Sequence, residues 1–358
     1  MQADLQSLAE QVRAAAGRHR ALRLRGGGSK DFYGGALRGE VLDTRAYAGI
    51  VDYEPTEMVV TARCGTPLAE LEAVLAERGQ MLAFEPPHFA AAGTSSATLG
   101  GCVAAGLSGP RRASAGAVRD FVLGARLLDG RGRILSFGGQ VMKNVAGYDV
   151  SRLLAGSLGT LGVILEASLK VLPRPPAETT LRFELPQDRA IETLNRWAGK
   201  PLPISAGAWR DGELMLRLSG VPSALRAALD KLGGERVDDA RGERHWVALR
   251  EHTDAFFADD APLWRLSVPS HAAPIGLPGE QLVEWGGGLR WLISRADAAT
   301  VRAAAERAGG HATLFRASDK SAGVFAPLPP VLLRLHRELK QAFDPSGIFN
   351  PGRMYPEF

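Results

Sequence analysis

Residues 85–116 read EPPHFAAAGTSSATLGGCVAAGLSGPRRASAG, a glycine-rich and charge-poor stretch with almost no large side chains. Gly93, Gly100, Gly101, Gly106, Gly109 and Gly116 admit conformations closed to other residues and can expose their N–H groups. Thr94, Ser95, Ser96, Thr98, Ser108 and Ser114 add short hydroxyl donors. Such a surface suits a large, partly anionic ligand held mainly by backbone, as diphosphate groups are. Leu99, Val103 and Leu107 recur at intervals of four, which predicts a short helical turn packed on a core. A mobile linker would not need that spacing.

Upstream, Leu5, Leu8 and Val12 predict an amphipathic first helix. Ala21–Arg25 then alternates as a strand and runs into GGGSKDFYGG, residues 26–35. A strand followed by a glycine loop suggests phosphate binding. No GxxxxGKS/T string exists, and a GxGxxG fingerprint starting at Gly26 would need Gly or Ala where Asp31 stands. What remains is an anion nest of consecutive N–H groups, with a hairpin or bulge as the alternative. Strands are expected around Val41-Leu42, Ile50-Val51 and Met58–Ala62. A helix follows, capped by Thr66, opened by Pro67, striped by Leu68, Leu71 and Leu75, and closed by Gly79.

Downstream, Phe121–Leu128 reads as a strand that Asp129-Gly130 turns back into Ile134–Phe137. Residues 140–149, QVMKNVAGYD, are polar and have the look of a functional loop, and Leu153–Ile164 leads into a strand ending near Val171. Ser157 nearly fits a GxSxG elbow, but Ala155 replaces the first glycine and the strand–Ser–helix order is reversed, which excludes a hydrolase. Pro173, Pro175 and Pro176 mark a linker. Beyond it come a strand at Leu181–Leu185, a helix at Ala190–Trp197, a hairpin at Ala206–Leu218 turning on Asp211-Gly212, and a helix at Ala224–Leu232. Strands at Trp264–Val268 and Leu289–Ile293 and helices at Ala298–Ala308 and Val331–Phe343 complete the pattern. Helices among hairpin-linked strands predict an α+β domain with a largely antiparallel sheet. The tail DPSGIFNPGR, residues 344–353, is too rich in turn residues for a frayed end and is expected to fold back onto the first domain.

Composition narrows the function. The chain has 358 residues, 45% hydrophobic and 23% charged, as a soluble globular protein of two domains would. Its formal charge of +4 is spread out, with no basic run that reads as a nucleic-acid arm. Two separated cysteines, Cys64 and Cys102, exclude a disulfide scaffold and a cysteine-ligated cluster, so an iron–sulfur centre would belong to a partner. His245, Glu251 and His252 lack a third ligand of sensible spacing, so no metal site is expected and they read as a solvated helix. The first residues lack the apolar segment of a signal peptide and no run is long enough to span a bilayer. A cytoplasmic location is expected, with membrane association only through a complex.

Taken together, RGGGSKDFYGG at 25–35, the PP…GTSSATLGGCVAAGLSGPRR stretch and KNVAGYDVSRLLAGSLGTLGVI at 143–164 resemble the PCMH-type FAD-binding domain of the vanillyl-alcohol oxidase flavoprotein family. The tail is similar to the end of its 2-hydroxyacid dehydrogenase branch. Within that branch, the compact length, the first loop and the VMKNVAGYD string most resemble the FAD-binding subunits of bacterial glycolate-oxidising complexes. The resemblance implies an FAD-binding domain of two α+β subdomains over 1–175 and an α+β cap domain over 176–328. A C-terminal helix and tail, 329–358, would return to the FAD-binding domain.

The resemblance also implies site residues. Gly26, Gly27, Gly28 and Ser29 would hold the diphosphate by backbone, flanked by Arg25 and Lys30. Thr98, Gly100, Gly101, Ser108, Gly109 and Gly116, with Pro87, would line the diphosphate, ribityl chain and ring. Gly162, Val163 and Ile164 would meet the adenine half through backbone. No His lies between Arg20 and Asp31 to link a flavin, so noncovalent FAD is expected. The branch's His-Xaa-Gly-Asp cap motif is absent from the sequence. Oxidation of an α-hydroxyacid needs a base for the hydroxyl proton and a cation for the carboxylate. Arg111, Arg112, Lys143 and Arg316 are candidate cations; no residue stands out as the base, and His88 reads as structural.

The reading is an FAD-binding subunit that works in glycolate oxidation to glyoxylate, beside a related catalytic flavoprotein and an iron–sulfur subunit that takes the electrons. A free-standing FAD-dependent 2-hydroxyacid dehydrogenase, acting on glycolate or lactate, and a structural subunit that has lost FAD are the rival readings. An NADPH-dependent reductase has no nucleotide motif to support it.

Overall fold

The computed structural model describes residues 2–89, 97–139 and 149–358. Helix α1 (Gln2–Gly17) buries Leu8 and Val12, as its spacing predicts. Strands β1 (Leu22–Arg25) and β2 (Glu40–Asp43) pair in parallel on either side of the first glycine loop. Next come β3 (Ile50–Glu54), β4 (Val59–Arg63), α2 (Leu68–Glu77), β5 (Gln80–Met81), α3 (Leu99–Ala105), α4 (Arg112–Ala115) and α5 (Val118–Phe121). They are followed by β6 (Val122–Leu128), β7 (Ile134–Gly138), α6 (Val150–Leu153), β8 (Val163–Lys170) and β9 (Leu172–Pro173). Strands β3-β4-β8-β6-β7 form an antiparallel sheet in that order, and β5 pairs with β9. All but the last residue of β8 are buried, as a central strand covered on both faces requires.

The remaining elements are β10 (Ala177–Glu184), α7 (Gln187–Ala198), β11 (Ile204–Arg210), β12 (Glu213–Gly220), α8 (Pro222–Leu232), β13 (Glu235–Val237) and α9 (Asp239–Glu251). After them come β14 (Leu263–Ser267), β15 (Glu280–Glu284), β16 (Leu289–Ile293), α10 (Ala298–Arg307), β17 (His311–Arg316) and α11 (Pro330–Phe343). Here eight strands form one sheet, β13-β10-β12-β11-β15-β16-β14-β17, with every pairing antiparallel. The fold is α+β throughout.

The chain divides into two compact units: residues 1–107, 117–173 and 327–358 in one, and residues 108–116 with 174–326 in the other. In the first, Leu8 and Val12 of α1, Leu22 of β1, Leu42 of β2, Leu165 of β8 and Phe349 of the tail share one core. Ile348 and Phe349 of the C-terminal tail are thus buried in the core of this unit. In the second, α7 and α8 press Leu194, Trp197 and Leu225 onto Leu181, Leu214, Leu216 and Leu218 of β10 and β12. Helix α10 covers the other end of the sheet, with Val301 and Ala305 against Trp264, Leu292 and Leu314.

Local chemistry explains where the sequence reading succeeds and where it needs correction. Asp211 and Gly212 both take positive φ, +47° and +80°, and join Arg210 to its partner Glu213 in a two-residue hairpin. The Asp129-Gly130 turn joins Leu128 to its partner Ile134, between the two strands the sequence predicts. It runs to Arg133, because the buried Asp129 carboxylate accepts the amides of Arg131 and Arg133 at 2.9 Å each. Thr66 does not cap α2; Pro67 stands at the cap, and the Thr66 hydroxyl bridges the Gly49 amide at 2.9 Å and carbonyl at 3.2 Å. His252 is not on a solvated face either: its ring stacks on Phe257 at 3.8 Å and meets Trp291 edge-on at 4.8 Å. Burial among these rings pushes its pKa down to about 3.

Candidate functional site

The first glycine loop leaves β1 at Arg25 and forms one wall of a cleft. Arg25 through Lys30 line it together with Thr98 and Gly101 at the start of α3. The loop turns sharply enough that Asp31 donates its amide to Gly28 at 3.0 Å and Tyr33 to Lys30 at 3.0 Å. The amides of Gly26, Gly27, Gly28 and Ser29 have no hydrogen-bond partner among the described residues. Consecutive unpaired N–H groups with this local charge are what an anionic group satisfies.

Two glycines are dictated by the geometry. A Cβ on Gly26 would collide with Thr98 Oγ1, and Gly28 has φ +79°, where a side chain is strained. Thr98 in turn caps α3 by accepting the Gly101 amide at 3.4 Å, while the Gly100 amide is given to Cys64 O at 2.9 Å. The loop thus meets the helix start where Gly26, bare of a side chain, lies against the Thr98 side chain.

The charges here are predominantly positive. The Asp31 carboxylate binds Arg23 and accepts from Arg25 Nε at 3.1 Å. The Lys30 ammonium lies 5.6 Å from the centre of the Phe89 ring. Residues of the tail, Asn350 and Arg353, also line the cleft. Their role there escapes sequence reasoning, although the turn-rich tail signals that it packs on something. Burial pulls the Arg353 pKa down to about 10, with Asp31 opposing it, so the guanidinium stays charged at neutral pH.

Other expected residues lie elsewhere. Gly162 precedes β8, which Val163 and Ile164 open by pairing with Leu128 and Leu127. Pro87 is buried, and beside it His88 Nε2 meets Glu72 Oε2 at 2.9 Å, consistent with the structural role expected of it. Ser108, Gly109 and Gly116 belong to the second unit, so the 85–116 stretch is divided between the units. In that unit Trp285 Nε1 donates to Gly109 O at 3.1 Å.

The candidate cations are variously engaged. Arg111 is buried and binds Glu178 and, at 3.2 Å, Ser219 Oγ. Burial alone would raise the Glu178 pKa, but Arg111 and Arg217 outweigh it and hold the carboxyl below its usual range. Arg112 stacks over Trp285 at 4.3 Å, and Arg316 donates to Phe257 O. Lys143 and most of the polar 140–149 loop fall outside the described residues. Cys64 and Cys102 are buried and their pKa values are pushed up to about 12, so neither is a thiolate at neutral pH. Among the described residues, no group of three or more His, Cys, Asp or Glu side chains could hold a metal ion, and no helix is long and apolar enough to cross a membrane.

The residues present fit FAD: a cradle that a Cβ would fill, open amides, and a cationic wall are suited to its diphosphate. Comparison with known proteins agrees. Residues 3–138 match the FAD binding domain family, and residues 319–354 match the C-terminal domain of FAD linked oxidases. The chain is 51% identical over 352 residues to glycolate oxidase subunit GlcE of Escherichia coli K12, covering 98% of this chain and 97% of that protein. It is 33% identical over 132 residues to glycolate oxidase subunit GlcD of Bacillus subtilis 168, covering 37% and 26% of the two chains. The solved structure of xylooligosaccharide oxidase from Myceliophthora thermophila C1 superposes with a TM-score of 0.65 at 16% identity, covering 98% of this chain and 90% of that one, and shares the fold. With its cofactor FAD, the chain belongs to the FAD-linked oxidoreductase family that includes glycolate oxidase subunit GlcE.

Proposed function

We propose that this chain is the FAD-binding subunit of a complex that oxidises glycolate to glyoxylate, alongside a related catalytic flavoprotein and an iron–sulfur subunit that receives the electrons. The single observation that carries the reading is the 51% identity to GlcE along almost the whole of both chains. We assign the first unit to FAD and the second to the cap. When bound, FAD supplies the two-electron acceptor for the substrate's α-carbon hydrogen.

In this reading the backbone of Gly26–Ser29 holds the diphosphate, with Arg25 and Lys30 beside it and Thr98, Gly100, Gly101 and Pro87 completing that end. Ser108, Gly109 and Gly116 face the ribityl chain and ring, and Gly162–Ile164 the adenine half. FAD is held noncovalently, so acid precipitation should release all of it into the supernatant. Arg112, Arg316 and Lys143 are the candidates for a substrate carboxylate. No residue of this chain is assigned as the base. The chain works in the cytoplasm and reaches a membrane only through its complex.

The test is the visible spectrum of the purified chain, recorded anaerobically before and after glycolate. Flavin bands that persist with the chain alone, and bleach once the partner subunits are added, are the expected result. Bleaching by the isolated chain would replace this reading with a free-standing 2-hydroxyacid dehydrogenase. A colourless protein that takes up no added FAD would overturn it outright.

A further inference from the structure

The loop that we assign to the diphosphate is held from behind by the far end of the sequence. Helix α11 ends in a buried ion pair, Lys340 Nζ to Asp344 Oδ2 at 2.7 Å. The same carboxylate accepts the amides of Ile348 at 3.1 Å and Phe349 at 2.7 Å, while Lys340 also donates to Thr160 O and Phe349 O. So anchored, the tail runs beside β1: Leu22 donates to Ile348 O at 2.7 Å and Asn350 to Leu22 O at 2.9 Å.

The next residues reach β1 just before the loop, and then the loop itself. Asn350 Oδ1 accepts the Leu24 amide at 2.9 Å, and its Nδ2 donates to Leu158 O at 2.7 Å. Arg353, only 6% exposed, donates to Gly35 O, to Asp31 O at 2.9 Å and to Lys30 O at 3.3 Å. Gly35 returns its amide to Arg353 O at 2.8 Å. One guanidinium thus gathers three carbonyls from the second half of a loop whose first half carries the open amides. Its charge also lines the cleft, beside Arg25 and Lys30, and among the described lining residues only Asp31, bound by Arg23 and Arg25, brings a carboxylate.

We propose that Arg353, supported by Asn350, is a positioning residue for FAD: it fixes the Gly26–Gly35 loop in its anion-binding shape before the cofactor arrives. The physical reason is entropy. Ordering a free loop costs conformational entropy at every residue, and glycines lose the most. A loop already ordered by the fold spares the ligand that loss. The inference rests on the assignment of this loop to the diphosphate.

The experiment is FAD titration of the full-length apoprotein by flavin fluorescence, comparing the native chain with Arg353→Met, Arg353→Lys, Arg353→Gln and Gly26→Ala. Arg353→Met is expected to bind FAD roughly ten- to a hundredfold more weakly, the scale of one lost charge-assisted contact set. The thermal midpoint of its apoprotein should stay within a few degrees, and Arg353→Lys should recover part of the affinity. If Arg353→Met does not fold, Arg353→Lys must still bind FAD more tightly than Arg353→Gln. Native affinity in Arg353→Met, or a Lys variant no better than Met or Gln, overturns the proposal. Should Gly26→Ala abolish binding while Arg353→Met leaves it intact, only the role of the tail falls. Should Gly26→Ala bind normally, the diphosphate assignment falls with it.

Discussion

The two glycine segments, Gly26–Gly35 and Ser108–Gly116, are alike in composition and opposite in how their polar groups are used. Both combine glycine, serine and basic residues. In the first, the Arg353 guanidinium takes up three carbonyls, and four consecutive amides have no partner among the described residues. In the second, Ser114 Oγ bonds Arg111 O at 3.0 Å and Ser205 O at 2.9 Å, Gly109 O accepts from Trp285, and Arg111 is tied to Glu178. The first is built to present backbone, the second is braced into a sheet. Glycine content alone does not tell open backbone from backbone already engaged; the inventory of hydrogen-bond partners does.

Because all six tryptophans lie between residues 197 and 291, their emission reports only the second unit, and this allows each half of the contrast to be broken separately. The largest effect is expected from Asp344→Asn, which leaves buried Lys340 without its counter-charge and should cost about 3–5 kcal/mol. FAD retention should fall with it, and the tryptophan transition should move far less. Equal loss in both signals would mean that the units do not respond separately.

Gly26→Ala is expected next, with about 1–3 kcal/mol lost from FAD binding as the new methyl meets Thr98. Arg111→Met sharpens the other half of the contrast. It should lower the tryptophan melting transition by about 1–3 kcal/mol, since Glu178 loses its main partner. A rise in substrate KM with unchanged stability would instead return Arg111 to the substrate.

The smallest effect is a pH dependence. His252 stays neutral in the folded chain down to about pH 3, whereas in the unfolded chain it takes up a proton near 6.5. Between these values the unfolded state binds more protons, so stability falls as pH falls through that window. The contribution is at most about 1.4 kcal/mol per pH unit. Denaturant titrations followed by tryptophan emission at pH 7 and pH 5 should show it in the native chain, with a weaker slope in His252→Phe.

The features legible in the sequence are those set within a few residues of one another. The 3–4 spacing of α1 and α2, the Asp211-Gly212 hairpin, the glycine loop following a strand, and the turn-rich tail are all of this kind. Each depends on backbone preferences and periodicity that neighbours in the chain impose on one another. The short strands β5, β9 and β13 and the strands β15 and β17 escaped, because a strand of two to six residues is defined by its partner across the sheet. Burial in three dimensions sets Arg353 against a loop, and Asn350 against the end of β1, more than three hundred residues earlier, puts Ser108–Gly116 in the second unit, and packs His252 among aromatic rings. Those contacts arise when distant surfaces are buried together and their polar groups must find partners, a condition that no local pattern of residues records.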